Sequence, residues 1–185
     1  AANIGIAMGR RGTDVARESA AIILLNDNFN SIIHGVRTGR RIYDNLQKAT
    51  NYLIAVHIPI IILSVVPVMF GAPLVLLPIH IVFLEFVIDQ TCTIVFESDS
   101  EDGDLMNRPP RKMKQKIVAL KNLYLPIING LIIGTLLSVC YLVANSKYGA
   151  GNARAFTFIM LMVMLIVLML VNLSRSESLL SKIHR

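Results

Sequence analysis

Glu85 and Asp89 are the only carboxylates in the apolar run from Leu74 to Phe96, LVLLPIHIVFLEFVIDQTCTIVF. Four residues apart, they share one face of an α-helix. A carboxylate near a bilayer centre costs at least ~2.5 kcal/mol on insertion scales, so it normally faces a bundle interior, a water-filled cavity or an ion path. Two on one face point to a cation site. The alternative is a structural pair, buried and protonated or bonded to a polar neighbour, a task that Ser, Thr or Asn performs at lower cost. Two further residues attract attention in the preceding apolar stretch. His57 is able to accept a proton, to bind a metal or to hydrogen-bond a neighbouring helix. Pro59 either breaks its helix, presenting backbone carbonyls beside the two acids, or simply kinks it.

Elements that place these residues are legible from hydropathy. The chain has 185 residues, 54% of them hydrophobic, and a mean hydropathy of +0.60. Four apolar stretches approach the ~20 residues that span hydrocarbon: 53–70, the acid-bearing 74–96, 122–144 and 155–173. The first two are separated only by Gly71-Ala72-Pro73, so they form a tight helical hairpin, and the acids are expected to point into a polar cavity between them. The expected fold is mainly α, a membrane helical bundle of four spans preceded by a small α/β remnant.

A formal charge of +6 invites a nucleic-acid reading, but the basic residues follow topology instead. Of 18 Lys and Arg, only Lys147 and Arg154 lie in the connection between the last two spans. The others precede the first span, follow the fourth, or cluster in the 97–121 loop, as Arg108, Arg111, Lys112, Lys114, Lys116 and Lys121. This is a positive-inside bias. It sets both termini, including the 174–185 tail, and the loop in the cytoplasm, makes the lipid bilayer the partner, and leaves no role for nucleic acid. The acids Glu97, Asp99, Glu101, Asp102 and Asp104 in that loop read as a solvated cluster. Cys92 and Cys140 both fall inside spans and build no disulfide framework.

Residues 1–29 have soluble character. Asn3–Gly9 and Ala21–Leu25 read as strands and Thr13–Ala21 as a helix that Thr13 or Asp14 can cap. Strand, helix, strand suggests the edge of an α/β domain too short to bury its own core, so the chain is expected to be truncated at its N-terminus. From about Asn30 the apolar period becomes 3.6, with Ile32, Val36, Tyr43, Leu46, Thr50 and Leu53 on one stripe. One helix is expected to run through 30–52 into the first span as a rigid lever. Gly5, Gly9 and Gly12 lack the spacing of a nucleotide fingerprint and are read as turns.

The segments NIGIAMG, RGTDVARESAAIILLNDNF and GRRIYDN, followed by a membrane helix and then by DLMNRPPRK (Asp104–Lys112), resemble the P-type cation-transporting ATPases, most closely the calcium-pump-like subgroup. The resemblance is clear over residues 1–121 and rests on hydropathy beyond. It implies that residues 1–29 are the C-terminal edge of a phosphorylation (haloacid-dehalogenase-like) domain and 30–52 a stalk helix. The spans then correspond to the fifth to eighth helices of a ten-helix pump in a membrane, expected to be the plasma (inner) membrane. It implies ion-binding roles for Glu85, where calcium pumps carry a ligand asparagine, and for Asp89, on their ligand aspartate. Ile60 and Ile88 stand where those pumps have a glutamate and a threonine, so a single divalent, monovalent or proton site is expected, not a two-site calcium cage.

The resemblance also implies Mg²⁺ and ATP as cofactors, the transported cation as cargo, and the actuator, nucleotide and phosphorylation domains with other membrane helices as partners. The phosphorylated Asp-Lys-Thr-Gly-Thr and the Gly-Asp-Gly segment do not occur in these 185 residues, so no catalytic residue is expected here. The competing expectation is a non-enzymatic four-helix membrane protein, a small channel or an accessory or regulatory subunit.

Overall fold

The computed structural model describes residues 3–99, 105–110 and 120–173. The 174–185 tail, the acids Glu101, Asp102 and Asp104, and residues 111–119 with their basic cluster lie outside the described residues.

Strand β1 (Ile6–Met8) pairs in parallel with β2 (Ile22–Leu24), Ile6 opposite Ile22 and Met8 opposite Leu24, and helix α1 (Asp14–Ser19) forms the crossover. Thr13 caps α1, its hydroxyl accepting from the Ala16 N–H at 3.2 Å. The turn after β1 is held by Asp27, whose carboxylate accepts from the backbone N–H groups of Arg10 and Arg11 at 2.9 and 3.0 Å. Both strands leave isoleucines, Ile6 and Ile22, half exposed. A two-stranded sheet of this size has no independent stability.

Helix α2 (Asn30–Met69) runs for 40 residues without interruption, about 60 Å at 1.5 Å per residue. Pro59 and Pro67 lie inside it, so of the two readings of Pro59 the break is not the one adopted. Proline removes one N–H and leaves the carbonyl four residues back without its donor; the turns on either side continue because neighbouring helices pack against them. The buried face also differs from the apolar stripe read in the sequence. Val36 and Leu46 are exposed, whereas Asn45, Lys48, Asn51, Tyr52, Ala55, Val56, Pro59 and Leu63 are buried. The Lys48 end of α2 packs on a polar loop, and polar contacts there outrank amphipathicity.

A Schellman turn ends α2. Gly71 adopts φ 72°, its N–H donates to Val68 O at 3.0 Å, and the Ala72 N–H donates to Pro67 O at 2.9 Å. Helix α3 (Pro78–Gln90) starts four residues later than the apolar run suggested. Pro78 holds the preceding Leu77 extended, at φ −83° and ψ 159°. After Gln90 the chain continues as a π-helix, Thr91–Phe96. Helix α4 (Leu120–Leu173) is interrupted at Gly149, where φ 78° and ψ 161° are far from helical values.

Contacts define the directions. His57 faces Glu85, Tyr52 faces Phe96 and Lys48 faces Asp99, so α2 and the α3–π segment are antiparallel. Gly130 lies against Ile58, Gly134 against Ile62, and the Tyr141 hydroxyl donates to Pro73 O at 2.8 Å. The first part of α4 therefore runs parallel to α2. Beyond Gly149, Arg154 donates to Leu74 O at 3.0 Å, and Phe158 stacks on His80 and Phe83. The second part thus turns back and meets the start of α3. Among the described residues three helices, Asn30–Met69, Pro78–Phe96 and the stretch Leu123–Leu173, are long and apolar enough to cross a membrane.

The α2–α4 contact is the closest in the bundle. A Cβ at Gly130 would lie 3.0 Å from the Ala55 carbonyl oxygen, the one that Pro59 deprives of its donor, and 2.7 Å from Ile58 Cβ. A Cβ at Gly134 would lie 2.7 Å from Ile62 Cδ1 and 3.0 Å from Pro59 Cα. Gly130-Leu-Ile-Ile-Gly134 is a G-x-x-x-G pair, which lets helix backbones approach where lipid supplies no hydrophobic drive. Gly134→Ala is expected to destabilise the protein by about 1–3 kcal/mol through overpacking. Gly35→Ala, where a Cβ meets nothing within 4 Å, should stabilise α2 by about 0.5–1 kcal/mol. Thermal unfolding in detergent followed by circular dichroism checks both signs.

Candidate ion-binding site

Leu84 and Ile88 are the residues of α3 that are fully buried, and they join the core with Val56, Ile60 and Leu63 of α2. Each helical residue advances by about 100°, so Glu85 and Asp89 stand one step round from that seam. They flank the α2–α3 interface. Glu85 is half buried and turns toward α2, its Oε1 lying 3.5 Å from His57 Nε2. Asp89, one turn further, is exposed. The expected cavity enclosing both acids between the two helices is therefore corrected: the apolar pair Leu84 and Ile88 fills that interface, and only Glu85 reaches a partner on α2.

The His57 imidazole is oriented by its own helix. Its Nδ1 lies 2.7 Å from the Leu53 carbonyl oxygen, which can only accept, so Nδ1 carries the proton. Nε2 is then the ring nitrogen that faces the Glu85 carboxylate. His80 is used differently: its Nδ1 accepts the Leu77 N–H at 3.2 Å at the start of α3, and its ring stacks on Phe158 at 4.8 Å. Pro59 is buried, and the Ala55 carbonyl it frees is covered by Gly130, not turned toward the acids.

Below Asp89 the helix changes pitch. A switch from i→i+4 to i→i+5 bonding leaves carbonyls without backbone donors. Thr91 donates its hydroxyl to Val87 O at 2.8 Å and Thr93 donates to Asp89 O at 3.1 Å. The Thr91-Cys92-Thr93 triplet is the one sequence signal for this irregularity, and it is a weak one. The pitch change brings Phe96 against Tyr52, ring centroids 5.2 Å apart.

The same end holds residues that sequence reasoning read as solvated. Asp99 is buried, and Lys48 Nζ bonds its Oδ2 at 2.7 Å. Asn45 donates to the Asp99 carbonyl at 3.0 Å. One turn back along α2, Arg40 donates to the carbonyls of Leu105 and Arg108 at 2.8 Å, and Arg108 bonds Asp44 at 2.8 Å. Arg40, Asp44, Asn45 and Lys48 thus bind the loop after the acid-bearing helix to α2. The i, i+4, i+8 spacing of Arg40, Asp44 and Lys48 was the available signal. A cavity of about 390 Å³ opens beside this contact, lined by Ile42, Asn45, Leu46, Cys92, Thr93 and Glu97 among others.

A continuous α2, an acid-bearing α3 and a loop fastened between them define an integral membrane chain of the cation-transport type. Residues 73–185 match the family model described as cation transporting ATPase, C-terminus. The chain is 35% identical over 155 residues to a calcium-transporting ATPase of Bacillus cereus, covering 84% of this chain and 17% of that protein. It is 33% identical over 142 residues to a calcium-transporting ATPase of Bacillus subtilis, covering 77% and 16%. It is 42% identical over 113 residues to a human sodium/potassium-transporting ATPase alpha-4 subunit, covering 61% and 11%. The chain belongs to the P-type cation-transporting ATPases and corresponds to their C-terminal part. It spans about a sixth of the length of the first two relatives.

Both members of the Lys48–Asp99 pair are nearly inaccessible, with side chains 9% and 6% exposed. Asp99→Asn is expected to cost about 3–5 kcal/mol by removing the carboxylate from beside a buried ammonium, and Lys48→Met with Asp99→Leu to recover most of it. Denaturation midpoints of the single and double variants provide the comparison.

Proposed function

We propose that this chain is the ion-path portion of an ATP-driven cation pump. In this reading α2, α3 and the two parts of α4 cross the bilayer as four spans, with the Lys48–Asp99 end and both termini in the cytoplasm of a plasma (inner) membrane. The β1–α1–β2 unit is the edge of the phosphorylation domain, and α2 is the stalk that carries its movement into the membrane. Glu85 and Asp89 bind the transported cation, with His57 and Pro59 beside the path. ATP hydrolysis through an aspartyl phosphate belongs to other domains of the full-length protein. The 185 residues contain no motif for ATP or Mg²⁺, so no step through either is assigned to them.

The observation that carries the reading is Glu85. It is a carboxylate inside an apolar helical hairpin, half exposed and 3.5 Å from an oriented imidazole on the opposite helix. A purely structural acid would be enclosed and bonded to a donor. Support for the enzyme class comes from the relatives, which are named as transporting ATPases, and from the parallel β–α–β unit, which a small channel or accessory subunit has no use for. Calcium pumps and a sodium/potassium pump are both among the relatives, which leaves the cation to be set by this chain's own side chains.

In the full-length protein, Glu85→Gln and Asp89→Asn are each expected to raise the cation concentration for half-maximal phosphoenzyme formation from labelled ATP by at least about tenfold, equivalent to about 1.4 kcal/mol of lost binding. Unchanged cation dependence in both variants would make the two acids structural. A full-length protein that forms no phosphoenzyme under any cation would favour the non-enzymatic alternative.

A further inference from the structure

We infer that Ser138 of α4 is a positioning residue for the movement of α2: in another conformation of the pump its hydroxyl donates to the backbone carbonyl of Leu63, and that bond sets how far α2 leans. The inference rests on the reading of this chain as part of a pump and adds a residue that governs its conformational balance.

Hydroxyls elsewhere in these helices turn back on their own backbone. Thr50, Ser64 and Thr91 donate to the carbonyl four residues earlier at 2.8 Å, and Thr93 does so at 3.1 Å, a common way for a helix to satisfy such a group. Ser138 does not. It is 2% exposed, and its Oγ has no hydrogen-bond partner. A hydroxyl kept from water without a partner is costly, so its position requires a cause. Among the described residues Thr157 is the other such hydroxyl, on the second part of α4 and outside the Gly130–Ser138 stripe.

The register of α2 and α4 supplies the partner. Gly130 lies against Ala55 and Ile58, and Gly134 against Pro59 and Ile62. The two helices run parallel, so one more step of four residues along both brings Ser138 to Leu63, their i±4 rows meeting as in other close G-x-x-x-G crossings. Leu63 and Pro67 are buried on the α2 side, as are Leu137 and Tyr141 on the α4 side. Pro67 has no N–H, so the Leu63 carbonyl loses its helical donor just as the Ala55 carbonyl does eight residues earlier. A carbonyl short of a donor and a hydroxyl without a partner thus stand at one level of the bundle.

In the present conformation the hydroxyl is not bonded, and a small movement separates the two cases. Leu63 lies four residues beyond Pro59, about 6 Å along α2. A tilt on the order of 10° about the Gly134–Pro59 contact moves it by about 1 Å, the difference between a hydrogen bond and a separation too long to be one. The conformation with the bond closed gains a donor–acceptor pair, whereas the present one leaves the hydroxyl unmet. Ser138 therefore weights the balance between two leans of α2 without touching the cation.

The test uses the full-length protein in lipid nanodiscs. It compares phosphoenzyme formed from labelled ATP with cation to phosphoenzyme formed from labelled inorganic phosphate without it, a ratio that follows the conformational balance. Ser138→Ala should shift the ratio about 2- to 12-fold, the worth of one hydrogen bond, while its unfolding midpoint stays at or above that of the wild type. Ser138→Gly should shift the ratio in the same direction, since it also lacks the donor. Pro67→Ala restores an N–H able to serve Leu63 within α2, and in that background Ser138→Ala should leave the ratio unchanged. An unshifted ratio in Ser138→Ala, opposite shifts in the Ala and Gly variants, or a shift that persists beside Pro67→Ala overturns the inference. A lowered midpoint for Ser138→Ala does so as well, because the hydroxyl would then be bonded in the resting conformation. A wild type that forms phosphoenzyme from neither source fails the pump reading itself, and the inference falls with it.

Discussion

In hydrocarbon there is no water to satisfy a backbone carbonyl that has lost its hydrogen bond, and each such group costs several kcal/mol. Helix α2 carries Pro59 and Pro67 inside its apolar half and so creates that problem for itself. At Pro59 a second helix with no side chain at the point of contact packs over the freed carbonyl and keeps lipid away from it. Gly130 comes so close to the freed Ala55 carbonyl that a Cβ would stand 3.0 Å from the oxygen. With α4 settled there, Tyr141 reaches Pro73, Arg154 reaches Leu74 and Phe158 meets the start of α3. The orientation of α3, and with it the position of Glu85 relative to His57, follows from that contact.

The second constraint lies at the opposite end of the hairpin. Burying an ammonium and a carboxylate costs several kcal/mol each before their attraction is counted. The Lys48–Asp99 pair nevertheless sits there with Asn45 supporting the Asp99 backbone. A charged contact of this kind contributes register more than stability. It holds the π-helical stretch, Phe96 and the following loop to a particular turn of α2, so that displacement of α2 carries the loop along.

Several features were legible from residue types alone. The apolar runs marked the membrane helices because nothing else needs 18 or more apolar residues in a row. The Thr13 cap and the parallel strands followed from local rules. Other features depend on partners distant in sequence. Asp99 looks like one more acid in a solvated cluster until Lys48, 51 positions earlier, is brought beside it. Pro59 reads equally as a break or a kink until Gly130 is brought over the carbonyl. The spacing of Glu85 and Asp89 placed them on one face correctly, but which way that face turns depends on Leu84 and Ile88, whose bulk occupies the seam. The π-helix has almost no sequence signature, since its pitch is a compromise between Phe96 packing and threonine hydroxyls able to take up loose carbonyls.

The α2–α4 contact has a mechanical consequence. Pro59 divides the 40-residue rod unequally, with 29 residues on the Asn30 side and 10 on the Met69 side. At 1.5 Å per residue these arms are about 43 and 15 Å long, a gearing ratio of about three. A tilt about the glycine contact therefore turns a wide swing at the soluble end into a small, opposite shift at the far end. His57, two residues from the fulcrum, hardly translates at all. The side chains beside a pivot rotate in place while the ends sweep, so the imbalance of the arms keeps the His57–Glu85 spacing almost independent of how far the rod leans.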